Sequence, residues 1–100
     1  MQIWVIYDIE SSKNGDKRRR KIVKEIEKFG LYRVQKSVFC GSIDNNRLEE
    51  LKLFSEGVAD PKLDKVYIFP MCQTDYDNVI MIGQPFDKDL VSDEKSELFF

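Results

Sequence analysis

Asp8 closes the apolar run Val5-Ile6-Tyr7, and nine residues further on five cations stand in a row, Lys17-Arg18-Arg19-Arg20-Lys21. The cations open a segment with helical spacing. Its first turn carries partial positive charge, so each exposed cation there is disfavoured by roughly 0.3–1 kcal/mol. Two readings account for an acid and a cationic cluster around one loop. One is a structural ion pair between strand end and helix start, with the remaining cations on a solvated face. The other is phosphate chemistry. A hard divalent cation such as Mg²⁺ is held by one or two carboxylates and keeps several waters. Arginine then clamps non-bridging oxygens in a bidentate fork, and lysine adds point charge. Asp8 is the carboxylate of that reading, and Arg19, the cation in line with the apolar stripe of the helix, is its nearest partner. Two copies of Asp8 across a twofold axis would repel one another and so favour an ion between them.

Charge is distributed unevenly. The net charge is −2, yet residues 13–36 hold ten of the sixteen cations and three of the eighteen acids, a net of +7 against −9 in the remainder. A basic segment in an acidic chain suggests a local anion site, with acidic surface elsewhere limiting non-specific association. Histidine is absent, which excludes His-based acid–base catalysis, the Ser-His-Asp triad and His-ligated zinc. Cys40 and Cys72 form no metal-spacing motif and read as small apolar residues. Nothing reads as a signal peptide or membrane span, so the expectation is a cytoplasmic, reduced protein with no membrane partner.

The elements that must position these residues follow from periodicity. Residues 2–8 read as a strand covered on both faces. Ser11 to Gly15 is turn chemistry, and Asp16 is the expected N-cap. Ile22, Val23, Ile26 and Phe29 share one helical stripe, ended by Gly30. Arg19 continues that stripe toward the end of the Asp8 strand, while Arg18 and Lys21 lie further round, toward solvent. Residues 31–43 are rich in β-formers and fit one strand or two, because no Gly or Pro marks a hairpin. Asp44 caps a second helix with Leu48, Leu51, Phe54 and Val58 inward. Residues 65–71 form a strand whose Pro70 belongs at an edge or terminus. Residues 78–83 read as a short apolar strand, and an acidic tail from Gln84 ends in Leu98-Phe99-Phe100.

The expected class is α+β, one sheet with two helices on one face. The uncovered face, the apolar 78–83 segment and the tail all call for a second copy of the chain, and a domain of 100 residues often gains stability that way. Residues 1–83 are expected as the domain, and residues 84–100 as a tail docking at the dimer interface.

Three stretches resemble a known family: Val5 to Ile9, the helix start at 16–22, and residues 29–41, of which Arg33-Val34-Gln35 with Ser37-Val38-Phe39 is the most specific. The chain resembles the CRISPR-associated Cas2 family, the small subunit of the spacer-acquisition complex. The resemblance implies a ferredoxin-like βαββαβ sandwich, with residues 31–43 as two strands. It also implies a homodimer in which an extra C-terminal strand, residues 79–83, is added to the partner's sheet. It places catalytic roles on Tyr7, Asp8, Arg19, Arg33 and Phe39, with Mg²⁺ shared between the two Asp8 of a dimer. A second helix arginine of the family is Lys21 here, which keeps charge and loses the bidentate fork. The implied function is a homodimer that bridges dimers of the integrase Cas1 and holds duplex DNA. Contacts would run through phosphates at Lys17, Arg18, Arg19, Arg20, Lys21 and Arg33. A Mg-dependent endonuclease acting on RNA or DNA is the second implication. A ribonuclease toxin of the related virulence-associated family and a ferredoxin-like small-ligand regulator are the alternatives.

Overall fold

The computed structural model describes residues 1–83; the tail at 84–100, with its expected docking at a dimer interface, lies outside the described residues. The first element, β1 (Gln2–Asp8), sends alternate residues to opposite faces of the sheet. Ile3, Val5 and Tyr7 face the main core, joined there by Ile22, Ile26, Phe39 and Leu51. Trp4 and Ile6 point the other way. Helix α1 (Lys13–Lys28) supplies Ile22 and Ile26 to the core, and Gly30 follows its C-cap with φ of 80°. Strands β2 (Tyr32–Gln35) and β3 (Val38–Ser42) form a hairpin, so residues 31–43 are two strands. Helix α2 (Asn45–Val58) is capped by Asp44, whose side chain accepts from the Arg47 N–H as expected. Strand β4 (Lys65–Met71) completes a four-stranded antiparallel sheet of order β2-β3-β1-β4. β2 and β4 are its edges, which suits Pro70.

Helices α1 and α2 pack together over one face. On the other face, a short helix α3 (Gln73–Asp77) folds back so that Tyr76 is fully buried, 6.5 Å from Trp4 between ring centroids and within 4.0 Å of the Cys40 sulfur. No periodic signal is possible in five residues, and sequence reading missed this helix. Residues 79–83, expected as a strand, form none within the single chain. Ile80 and Ile82 are 85% and 95% exposed. Tyr67 and Phe69 of β4 are also exposed, on the same face as Trp4 and Ile6 by the β1–β4 register.

Two sequence expectations at the start of α1 need correction. Ser12, not Asp16, is the N-cap; its hydroxyl accepts from the Gly15 N–H at 3.0 Å, and Asp16 lies inside the first turns. Gly15 is therefore helical and not a turn residue. It is glycine because of a close approach: a Cβ there would stand 1.8 Å from the Glu10 carbonyl oxygen.

A single carboxylate fastens this region to the turn before β4, the strand next to β1. Asp64, with no exposed side-chain surface, accepts from Arg18 Nε at 2.6 Å and Arg18 Nη2 at 3.1 Å. It also accepts from the backbone N–H of Glu10 at 3.0 Å and of Asp60 at 2.8 Å. Arg18 is thus directed inward, against the expectation that it faces solvent. The Arg18 hydrogen bond does most to lower the Asp64 pKa from 3.8 to about 2; burial opposes it, and the two backbone donors and the Arg18 charge add to it. The folded pKa lies below the unfolded value, so this stabilisation is complete above about pH 4 and is lost as pH falls toward 2. Asp64→Ala leaves a guanidinium and two backbone donors short of an acceptor. Urea unfolding at neutral pH should show a loss of about 3 kcal/mol, and acid unfolding below pH 4 should lose part of its steepness in the variant.

Candidate nucleic-acid interface

An open groove of about 1080 Å³ runs between α1 and the β2–β3 hairpin. Tyr7, Asp8, Arg19 and Arg33 line it, together with Arg20, Lys24, Lys36 and Ser37. Four of the five residues singled out for catalysis therefore meet on one surface. Phe39, the fifth, is fully buried behind it.

Each wall has its own construction. On the α1 wall Arg19 is held by Asp16, one turn back, at 2.6 Å. Among the described residues Asp8 and Arg19 share the groove without an ion pair, so of the two readings of the sequence the direct strand-end to helix pair does not form. Arg20 and Lys24 continue the cationic line one turn apart. Lys17 and Lys21 are exposed on α1 outside the groove, and Arg18 is committed to Asp64. On the hairpin wall the Arg33 guanidinium sits over the Phe39 ring, 5.0 Å from its centroid, and its Nε is buried without a hydrogen-bond partner. Tyr7 stacks on Phe39 at 6.3 Å, its hydroxyl donates to the Lys36 carbonyl at 2.9 Å, and its backbone N–H donates to the Ser37 carbonyl at 3.1 Å.

Asp8 sits at the groove's end and is exposed. By strand alternation it belongs to the same face as Trp4 and Ile6, and Lys65 is its cross-strand neighbour on β4. Among the described residues no group of three or more His, Cys, Asp or Glu side chains could hold a metal ion. Of the three carboxylates that line the groove, Asp16 is paired with Arg19, whereas Asp8 at the strand end and the exposed Glu27 on α1 have no ion pair among the described residues. Asp8 suits a Mg²⁺ which keeps most of its waters, provided a second carboxylate comes from elsewhere. Sequence reasoning missed Lys24, Lys36 and Lys65. The i, i+4 step from Arg20 marks Lys24 in the sequence, whereas Lys36 and Lys65 come into place only through sheet register.

The split β1-α1-β2 and β3-α2-β4 units, with β1 and β3 central, define a ferredoxin-like sandwich, and the cationic groove beside a strand-end acid narrows that class. The family model described as CRISPR associated protein Cas2 matches residues 1–79, and the chain belongs to this family. A CRISPR-associated endoribonuclease Cas2 of Archaeoglobus fulgidus is 38% identical over 80 residues, 79% of this chain and 80% of that protein. A CRISPR-associated endonuclease Cas2 of Halalkalibacterium halodurans is 37% identical over 70 residues, 69% of this chain and 72% of that one. The crystal structure of Streptococcus pyogenes Cas2 superposes with a TM-score of 0.70 at 27% identity, covering 83% of this chain and 100% of that chain. Among the described residues no helix is long and apolar enough to cross a membrane.

The two arginines that neighbour one another in sequence differ in what they hold. Arg18→Gln should lower the urea midpoint clearly, because it strips the buried Asp64 of its charged partner. Arg19→Gln, which breaks a half-exposed i, i+3 pair, should stay within about 0.5 kcal/mol of the parent.

Proposed function

We propose that the chain is the nucleic-acid-holding subunit of a CRISPR adaptation complex. It would act as a cytoplasmic homodimer that bridges dimers of the integrase Cas1 and grips duplex DNA through phosphates. The observation that carries this reading is the concentration of Arg19, Arg20, Lys24, Arg33 and Lys36 around one groove, with Lys17 and Lys21 exposed beside it. Such a surface binds backbone charge and reads no base edges. Dimerisation is supported by the exposed Tyr67 and Phe69, whose rings lie 6.3 Å apart on β4, and by the exposed Ile80 and Ile82. In the dimer the 79–83 segment adds to the partner's sheet.

A second reading, metal-dependent cleavage of RNA or DNA, is favoured by the exposed and uncommitted Asp8. Relatives named endoribonuclease and endonuclease support it. Asp8 lies on the face that a second copy covers, so a twofold would bring two such carboxylates together to hold Mg²⁺. When bound, that ion would supply a nucleophilic water and Lewis acidity. Arg19 and Arg33 would steady charge on the phosphate.

Asp8→Asn separates the readings. Spacer acquisition in cells carrying it should persist, while any Mg²⁺-dependent cleavage by the purified protein should vanish with dimerisation and DNA affinity intact. Loss of acquisition with an intact complex would reverse the ranking. For the binding role, Arg20→Glu should weaken DNA binding equally for unrelated sequences and cut the salt slope by about one or more. Unchanged affinity and slope would reduce the cluster to a solvated face.

A further inference from the structure

The geometry points to Lys36 as an additional phosphate contact, positioned by Tyr7, which acts through the hairpin turn and not on the reacting atoms. This rests on the binding reading above and extends it to the second wall of the groove.

The β2–β3 connection is only Lys36 and Ser37, with neither glycine nor proline, and the β2 register shifts between Arg33 and Gln35. Two-residue hairpins usually rely on Asn-Gly, Asp-Gly or Gly-rich turns. Here Tyr7 supplies external support. Its backbone N–H and its hydroxyl each hold one carbonyl of the turn, Ser37 at 3.1 Å and Lys36 at 2.9 Å. A phenol that is 5% exposed and donating to a carbonyl is poorly placed as a catalytic acid or base. It is well placed as a clamp.

The clamp continues through Phe39. Tyr7 stacks on it, and the Arg33 guanidinium lies over it. Tyr7 thus fixes two cations on one wall, Arg33 through the ring stack and Lys36 through the turn. Arg33 Nε is buried with no acceptor, so part of that guanidinium's donor capacity is unused. Lys36 is exposed, lines the groove and has no ion-pair partner among the described residues. Opposite, on the α1 wall, stand Arg19, Arg20 and Lys24, with Asp16 paired to Arg19 and the exposed Glu27 one turn beyond Lys24. A phosphate backbone lying in the groove meets cations from both sides, and Lys36 is the more exposed of the two on the hairpin side.

The test is a titration of the full-length chain with a fluorescein-labelled duplex between about 50 and 200 mM salt. Lys36→Met should weaken binding by roughly threefold to tenfold at the low end and reduce the slope of log affinity against log salt by roughly 0.9, with Lys36→Arg restoring both. Tyr7→Phe should weaken binding in the same direction by about twofold to fivefold, a lost hydrogen bond expressed through Lys36. The double variant should bind no worse than Lys36→Met alone, since one residue acts through the other. An unchanged slope for Lys36→Met overturns the proposal, as does full additivity of the two changes. Tyr7→Phe that slows cleavage with affinity untouched would give the hydroxyl a catalytic role and overturn it as well. Wild type that fails to bind at low salt overturns the underlying binding reading too, whereas wild type and variants binding alike overturns this one alone.

Discussion

The Asp64 carboxylate decides where α1 begins, and with it where every cation of the groove stands. It receives four hydrogen bonds from three segments: the loop after β1, the first turns of α1, and the turn before β4. A carboxylate without exposed surface needs that many donors to offset its lost hydration. Once they are in place, the loop has no freedom to drift. Glu10 is pinned by its own N–H, and its carbonyl abuts Gly15 so closely that no side chain fits there. Ser12 then caps the helix, and Arg19 follows at a fixed distance from Asp8 along a short, fully anchored path.

The same interaction answers the electrostatic problem of five cations in the first half of a helix. Arg18 is neutralised by Asp64 and Arg19 by Asp16. Both acids sit where the helix field favours negative charge or where burial strengthens the pair. Lys17, Arg20 and Lys21 have no ion-pair partner among the described residues. Their mutual repulsion is a standing cost of about a few tenths of a kcal/mol per close pair. The fold therefore compensates the cations that face the protein and leaves the solvent-facing ones on α1 unpaired.

The division between what the sequence shows and what it hides follows from range. Local periodicity marks β1, α1, α2 and β4, and the resemblance of residues 29–41 carries the hairpin. The acid at the end of β1 is legible because it interrupts an apolar run. What hides is tertiary. Arg18 and Arg20 look alike in a run of cations; only Asp64, forty-six residues away, distinguishes them. Ser12 outcompetes Asp16 as N-cap because the loop path is set by Glu10 and Asp64, not by cap preference alone. The hairpin at Lys36-Ser37 lacks turn residues because its support comes from Tyr7, and a five-residue helix such as α3 is held by one buried tyrosine.

Buried aromatic residues near a strand-end acid invite a catalytic reading, and here the packing gives them another task. Phe39 has no exposed surface and carries no proton to transfer. Its ring has Tyr7 stacked on it and the Arg33 guanidinium over it, and cation–π attraction is strongest where water is excluded. Truncating either aromatic would loosen the arginine and the turn together. A loss of activity on mutating Tyr7 or Phe39 therefore does not by itself place them at the reacting phosphate. The charged groups that this surface leaves exposed are others: Asp8 at the groove's end, Arg20, Lys24 and Glu27 on α1, and Lys36 on the hairpin.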